Sequence, residues 1–221
     1  MTGYMAELIL EDQPVLMFGG GRVARRKLTG LVPAKAHITV VAPHLDPGVA
    51  EGVAMGEIQH EAGFYSLARL TRAPRPVLVF AATGDAGLNQ IIAAACREQG
   101  LLCNSADDPR SSSLLVPAVV RRGKVSVAVS SGGLSPSLSR LLKERIDRWL
   151  EGGWGAVADL FGAERARVKE SLPVDRVRHR FWRETALALD DEERVDAPDN
   201  SSWFAARLDQ AKEVSREESG Q

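Results

Sequence analysis

Two adjacent carboxylates stand where a short apolar segment ends. Residues 102–109 read LCNSADDP, so Asp107 and Asp108 directly follow a strand-like stretch, and Pro109 restricts the backbone after them. Aspartates at the carboxyl end of a strand can hydrogen-bond their own turn, or they can face a bound ligand as an acid or base. These residues alone are compatible with both roles.

A glycine turn is the second stretch whose residue types could do chemistry. The segment VLMFGGGRVARRK (15–27) carries the pattern G-x-G-x-x-A after a strand candidate and at the start of a helix candidate. Glycines let a pyrophosphate approach the backbone, and the helix offers free N–H groups and a positive dipole end. The alternative is a turn needed only for tight strand–helix packing. The pattern predicts a dinucleotide site formed by Gly19, Gly21, Arg22, Val23 and Ala24.

Two further strand ends are candidates for cofactor contacts. FAATGDAGLNQ (80–90) places small residues before Thr83, Asp85 and Asn89, whose side chains could bond to a ribose. Asp85 is equally suited to start the next helix. The second strand ends in VVAPHLD (40–46), which includes the candidate contact Pro43 but has no carboxylate before its last residue. The ribose-binding carboxylate typical of this pattern is therefore missing, and the residues do not separate NAD from NADP.

Composition excludes several functional classes. The 221 residues are 44% hydrophobic and 26% charged, with a formal net charge of −1, so no overall field would recruit nucleic acid or an anionic membrane. No apolar run approaches the roughly 20 residues of a membrane span, and the first ten residues do not resemble a secretory signal. Cys96 and Cys103 form neither a metal-ligand spacing nor a disulfide framework, which predicts a reducing, cytoplasmic location.

The elements that must position these residues alternate in type. Strand candidates lie at 14–19, 37–42, 57–62, 76–83 and 101–105, and the clearest helix between them is Leu88–Glu98. Three of the strands are nearly continuous apolar runs, as expected when helices cover both faces of a sheet. This order predicts an α/β fold with a Rossmann-like, doubly wound parallel sheet.

The alternation ends after Pro109. Segments 113–120 and 125–130 predict a β-hairpin around RRGK, and Ser135 followed by proline predicts the start of a helix. Helices are then expected over 154–172 and 175–189. The acidic, turn-rich residues 190–200 predict a linker, followed by a short helix around Trp203–Val214.

Four of these stretches together resemble a known family. VLMFGGGRVARRK, VFAATGDAGLNQ, CNSADDP and LVPAVVRRGKVSVAVSSGGLSPSLSRLLKERI are similar to the precorrin-2 dehydrogenase family, also found as the dehydrogenase–ferrochelatase module of siroheme synthase. The resemblance covers about residues 8–190. It implies NAD-dependent oxidation of the tetrapyrrole precorrin-2 to sirohydrochlorin by a homodimer. Some members also insert metal into the product, and for this chain an iron or cobalt chelatase activity is left open.

The resemblance also implies a division of the chain. It indicates an NAD-binding Rossmann domain over residues 1–113, a β-hairpin and helix for dimerisation over 114–149, and a C-terminal helical domain over 150–190. Residues 191–221 are expected to form an acidic linker and tail, part of it without fixed structure.

The resemblance further assigns roles to individual residues. The family's key aspartate lies in a motif N-x-x-D-x-P, which here reads NSADDP, so Asp107 is the implied proton acceptor and Asp108 the neighbour that serves the turn. No metal-ligating residues are predicted. Two alternatives stay open: a non-catalytic NAD-binding regulatory module, and a chelatase without dehydrogenase activity. The expected contacts with the substrate are Asn104, Ser131, Gly132, Ser135 and Arg140.

Overall fold

The chain folds into two compact units. The structure, a computed structural model, describes residues 3–219, with side chains through residue 216. The first unit runs to Val116 and also includes Gly132–Leu134; the second comprises Pro117–Ser131 and the chain from Ser135 onward. Residues 1–2 and 220–221, the outermost parts of the predicted first and last segments, lie outside the described residues.

The first unit contains a parallel sheet of five strands. The strands are β1 (Pro14–Phe18), β2 (His37–Val41), β3 (Ile58–Glu61), β4 (Leu78–Ala81) and β5 (Leu102–Ser105). The helices are α1 (Arg22–Leu31), α2 (Pro47–Ala54), α3 (Ala68–Thr71) and α4 (Ala86–Glu98). The sheet order is β3-β2-β1-β4-β5, so the direction of winding reverses between β1 and β4. The predicted doubly wound Rossmann-like sheet is confirmed, and such sheets bind ligands at the carboxyl ends of the strands beside this reversal.

Two hydrophobic cores lie on opposite faces of the sheet. On one face, Leu28 of α1 and Val49 of α2 pack against β1 and β2. On the other face, Leu70 of α3 and Ile92 of α4 pack against β4 and β5. Because both faces are covered, the strand residues on both faces are apolar, which explains the continuous apolar runs in the sequence.

Helix ends in the first unit follow local chemistry. The Asp85 carboxylate caps α4 by accepting from the N–H of Leu88 at 3.0 Å, and Gly100 (φ +65°) follows its C-terminus. In α1, Gly30 lies inside the last turn, and the helix ends before Pro33. The glycine and proline therefore do not interrupt the helix that carries the glycine turn.

The second unit begins with an antiparallel hairpin, as predicted, but with shifted bounds. Its elements are β6 (Ala118–Arg122), β7 (Val125–Val129), α5 (Pro136–Trp149), α6 (Trp154–Ser171), α7 (Asp175–Asp191) and α8 (Asn200–Ser219). Arg121 and Arg122, predicted as turn residues, belong to β6. Residues 113–117, predicted as strand, precede it. The N–H groups of Ser113 and Leu114 donate instead to the carbonyl of Cys103 at 2.9 and 3.0 Å.

The three C-terminal helices share a core. Val168 from α6, Phe181 from α7, and Phe204 and Leu208 from α8 are buried together. Residues between α7 and α8 form turns, and the indole of Trp203 in α8 donates to the Glu192 carboxylate in these turns at 3.0 Å. The described part of the predicted linker and tail thus contains a helix of 20 residues that packs into this core. No helix among residues 3–219 is long and apolar enough to cross a membrane.

Candidate functional site

The glycine turn lies between the ends of β2 and β4. A Cβ on Gly19, whose φ is +107°, would lie 2.1 Å from the carbonyl oxygen of Ala82. A Cβ on Gly20 would lie 2.6 Å from the carbonyl oxygen of His44. Both positions therefore require glycine, because the turn contacts backbone on either side. The turn follows β1 and packs against the backbone that follows β2 and β4.

Gly21 has different surroundings. A Cβ there would meet no described atom within 4 Å, and the residue is the N-cap of α1 in an extended conformation. Among the described residues, no side chain caps the first N–H groups of α1. Uncapped N–H groups at a helix N-terminus, next to open space, form an anion site. These residues fit the pyrophosphate of NAD(P), with Arg22 exposed beside the space and Ala24 fully buried against the sheet.

The end of β2 carries no free carboxylate. Pro43 follows the strand and is exposed, and Asp46 is the first acidic residue after it. Asp46 caps α2 by accepting from the N–H of Gly48 at 3.0 Å, and it pairs with Arg25 at 3.4 Å. Its carboxylate is therefore committed to the α2 N-terminus.

The loop after β4 is organised by Asn89. The Oδ1 atom of Asn89 accepts from the N–H of Thr83 at 3.0 Å and from its hydroxyl at 2.7 Å. The amide of Asn89 donates to the carbonyl of Thr83 at 3.3 Å. Thr83 also bonds to the carbonyl of Asp85 at 3.1 Å. The predicted cofactor residues Thr83, Asp85 and Asn89 thus form one hydrogen-bonded loop, in which Asn89 is fully buried.

The two aspartates after β5 have separate roles. The Asp108 carboxylate accepts from the N–H of Arg110 at 2.8 Å, an arrangement that closes the turn. The Asp107 carboxylate points to α4 instead, where its Oδ2 accepts from the Asn89 amide at 2.5 Å. Asp107 is exposed, whereas Asn89 is not. Each carboxylate thus has one oxygen in a hydrogen bond, Asp108 with its own turn and Asp107 with α4, and Asp107 is the more exposed of the two.

Asn104 lies beside this loop but is largely engaged. Its side chain is buried, and its amide donates to the carbonyl of Leu114 at 2.9 Å. Its Oδ1 atom is buried and has no hydrogen-bond partner among the described residues. The same unit includes the predicted contact Gly132 and its neighbour Gly133, where a Cβ would lie 3.1 Å from the Cβ of Pro109. The Gly-Gly segment therefore packs against the loop that carries Asp107.

The other predicted substrate residues lie in the second unit. Ser135 caps α5 by accepting from the N–H of Leu138 at 3.2 Å. The hydroxyl of Ser131 donates to the carbonyl of Ser135 at 2.9 Å and is 3.0 Å from the hydroxyl of Ser139. Arg140 is exposed and pairs with Glu144 at 3.0 Å. These hydroxyls order the start of α5.

The pKa values of Lys27 and Cys96 in the first unit depart from their ordinary values. Burial, and then the charge of Arg26, lower the pKa of Lys27, whose ammonium lies 6.0 Å from the ring centre of Phe80. A hydrogen bond with Cys103, together with burial, raises the pKa of the Cys96 thiol. Both cysteines are free and buried. In the part of the chain that the structure describes, no cluster of three or more His, Cys, Asp or Glu side chains could hold a metal.

Sequence reasoning missed the bond between Asn89 and Asp107. It treated Asn89 as a ribose contact because the residue follows a strand end. A signal was present, since Ile92, Ala93 and Cys96 follow Asn89 at helical spacing and are all buried. An amide on that buried stripe requires partners inside the protein. Sequence reasoning also missed Ser139, four residues after Ser135, as a member of the hydroxyl cluster.

Comparisons with known proteins agree with this geometry. Residues 7–118 match a family model described as putative NAD(P)-binding, and residues 122–148 match one described as sirohaem biosynthesis protein central. Siroheme synthase 3 of Aeromonas hydrophila is 41% identical over 173 residues, which is 78% of this chain and 36% of that protein. A siroheme synthase of Chromobacterium violaceum is 37% identical over 207 residues, 94% of this chain and 43% of that protein.

A solved structure shares the fold. The protein titled "SirC, precorrin-2 dehydrogenase" aligns with a TM-score of 0.76 and 24% identity, covering 94% of this chain and all of that one. This chain spans 36% to 43% of the length of the curated siroheme synthases that it matches here. The matches confirm the resemblance to siroheme synthases that the motifs indicate.

Proposed function

We propose that this chain, which belongs to the NAD(P)-binding family matched over residues 7–118, oxidises precorrin-2 to sirohydrochlorin with NAD. One observation carries the proposal. The Asp107 carboxylate is exposed and hydrogen-bonded through Asn89 to the loop after β4, at the sheet edge that bears the glycine turn. A carboxylate next to a dinucleotide site suits a reaction that removes a hydride and a proton together.

Different residues of the first unit have different roles in the proposed reaction. The N–H groups at the start of α1, beside Gly21, bind the pyrophosphate and fix the cofactor's position. Bound NAD supplies the hydride acceptor. Asp107 accepts the proton that the reduced tetrapyrrole releases, so that one hydride and one proton leave the substrate for each turnover. Asp108 closes the loop that presents Asp107.

The substrate carries several carboxylates, which require N–H groups or cations. Within the first unit we assign such a contact to Gly132; within the second unit, the residues proposed from the sequence are Ser131, Ser135 and Arg140. The exposed Arg140 guanidinium supports this assignment, since 81% of its side chain is accessible. Asn104 is not part of this assignment, because its amide donates to the Leu114 carbonyl and its Oδ1 atom is buried.

A homodimer and a cytoplasmic location are parts of the same proposal. On α5, Leu138, Leu141 and Trp149 are exposed large apolar side chains, 48%, 46% and 70% accessible respectively. Such a face favours a partner, here a second copy of the chain. Sedimentation of the purified protein at micromolar concentration tests it. The free, buried Cys96 and Cys103 agree with a reducing compartment.

A chelatase activity is the finer part of the proposal. Inserting a divalent metal into sirohydrochlorin displaces two pyrrole protons, and Asp107 is the carboxylate that we expect to accept them. Iron or cobalt would then be a substrate and not a resident cofactor. Cobalt insertion, followed by absorbance with sirohydrochlorin supplied directly, measures this step without dehydrogenation.

The test is anaerobic oxidation of precorrin-2 with NAD, followed by NADH formation, in the wild type and in Asp107→Asn. We expect turnover in the wild type, and a loss of about 10²–10⁴-fold in the variant with NAD binding retained. Asp108→Asn, which touches only the turn, is the matched control and should keep most of the activity. Tight NAD binding without wild-type turnover would contradict the proposal and favour a regulatory NAD-binding module.

A further inference from the structure

We propose that Asn89 is a positioning residue that holds the Asp107 carboxylate and joins it to the loop after β4. The role rests on the proposed function insofar as Asp107 accepts a proton. It takes the place of the direct cofactor contact expected for Asn89 from the sequence.

All hydrogen-bonding positions of the Asn89 side chain are used within the protein. A side-chain amide has two N–H donors and an oxygen that accepts two bonds. The donors of Asn89 reach Asp107 Oδ2 at 2.5 Å and the Thr83 carbonyl at 3.3 Å. Its oxygen accepts from the N–H and the hydroxyl of Thr83 at 3.0 and 2.7 Å. With 0% of its surface accessible, Asn89 has neither the exposure nor a free group for a ligand.

The backbone of Thr83 decides which way the amide faces. The N–H of Thr83 can only donate, so the atom opposite it must be the Asn89 oxygen. The NH₂ group must then lie on the other side, where Asp107 accepts from it. The backbone N–H of Thr83 thus fixes the orientation of the Asn89 amide. The group that donates to the Asp107 carboxylate is therefore the NH₂ group of Asn89.

The rigidity of α4 makes this bond useful. Asn89 lies one turn after the Asp85 cap, and the next residues on its face, Ile92 and Ala93, are buried against the sheet. Asp107 lies in an irregular loop and is itself exposed. A loop carboxylate acquires a defined position when a residue on a packed helix holds one of its oxygens. The bond from Asn89 engages the Oδ2 atom and leaves Oδ1 to accept a proton.

The same amide ties the carboxylate to the cofactor side of the site. Thr83 follows Ala82, whose carbonyl lies against Gly19 of the glycine turn. A continuous set of contacts therefore runs from the turn through Thr83 and Asn89 to Asp107. Any displacement of the loop after β4 is transmitted to the carboxylate through one side chain.

A reciprocal exchange of the two residues tests the proposal. Asn89→Asp keeps the acceptor that Thr83 needs, but it removes the donor and places a second carboxylate against Asp107. Combining it with Asp107→Asn restores a donor–acceptor pair in the opposite sense. We expect Asn89→Asp to lower the Tm, and the double variant to recover most of that loss, because the bond has been rebuilt.

If Asn89 acts through Asp107, the effects of the two substitutions on kcat should not add. Asn89→Asp should lower kcat about 10²-fold, as expected when a reacting group is misplaced, while the Kd for NAD stays within about threefold. In the Asp107→Asn background, adding Asn89→Asp should cost no further activity. A residue that only stabilises the fold would lower kcat equally in both backgrounds.

The outcomes separate this proposal from the proposed function. Unchanged kcat in Asn89→Asp, or a double variant less stable than Asn89→Asp, would overturn the positioning role. Absence of wild-type turnover would overturn the dehydrogenase, while the Tm comparison still decides the contact. If Asn89→Asp does not fold, the ¹⁵N resonances of the Asn89 amide in the folded variants decide: they should move in Asp107→Asn and stay in place in Asp108→Asn. The reverse pattern would refute the bond.

Discussion

Replacing Gly19 by alanine should damage the fold at the point where three strand ends meet. The new Cβ would lie 2.1 Å from the Ala82 oxygen and 2.5 Å from its carbonyl carbon, and both are backbone atoms that cannot rotate away. The overlap requires a shift of roughly 1 Å, and overpacking of this kind costs about 1–3 kcal/mol. The φ of +107° adds about 1–2 kcal/mol for a residue with a Cβ. We therefore expect a loss of about 2–5 kcal/mol in the free energy of unfolding.

Gly21→Ala is the matched control, because it adds the same methyl group two residues away. No described atom lies within 4 Å of that Cβ, and φ is −86°, which alanine adopts readily. The free energy of unfolding should change by less than about 0.5 kcal/mol. The methyl group would nevertheless occupy the space that a pyrophosphate must enter, so the Kd for NAD should rise at least about tenfold, a loss of about 1.4 kcal/mol.

Calorimetry and NAD titration of the two variants provide the measurements. Gly19→Ala should lower the Tm by about 4–20 °C for a chain of this size. Gly21→Ala should keep the wild-type Tm and lose affinity. An unchanged Tm in Gly19→Ala would refute the steric reasoning, and unchanged NAD affinity in Gly21→Ala would refute the assignment of the open space to the pyrophosphate.

Three further changes give distinct expectations. Gly30→Ala should raise the free energy of unfolding by about 0.5–1 kcal/mol in a denaturant titration. The reason is that the glycine lies inside α1 and a Cβ there meets nothing within 4 Å. A decrease in the free energy of unfolding would contradict the bounds of α1. Phe204→Ala should lower the free energy of unfolding by about 3–5 kcal/mol in the same titration, since the ring is fully buried in the core of α6, α7 and α8. A change near zero would show that α8 does not pack in this core. Lys27→Met should raise the Tm at neutral pH, because burial lowers the pKa of Lys27 below 10.5 and the unfolded chain binds the proton more strongly. The wild type gains stability as pH rises through that window, so the difference in Tm should shrink toward pH 10.5, and a constant difference would contradict this cause.

Periodicity and strand-end chemistry were sufficient to predict the parallel sheet of the first unit. The apolar runs, the glycine turn and the Asp85 cap each depend on residues close in sequence, and all five strands lie within the predicted segments. The hairpin was predicted in type but not in bounds. Residues 113–114 bond to Cys103, ten residues earlier, and such a pairing leaves no periodic signal.

Side-chain contacts between distant segments were the part that sequence could not predict. Asn89 and Asp107 are separated by 18 residues, and their bond depends on how α4 packs beside β5. The acidic residues near 190–200 predicted a linker because they are polar, yet Glu192 accepts from the indole of Trp203 and Arg194 pairs with Asp199. Polar composition indicated the turns correctly but carried no information about the length or packing of α8.

The return of Gly132–Leu134 to the first unit has a consequence for how such a protein can be inherited. The chain leaves the first unit after Val116, comes back for three residues, and leaves again at Ser135. A single recombination point near residue 116 would donate a nucleotide-binding half without the glycine segment that packs on Pro109. The hairpin lies between the two parts of the first unit, so exchange that preserves this packing must carry the hairpin along. The nucleotide-binding half and the start of the sirohaem-type central segment, whose family matches end at residue 118 and begin at residue 122, are therefore expected to pass between genes as one piece.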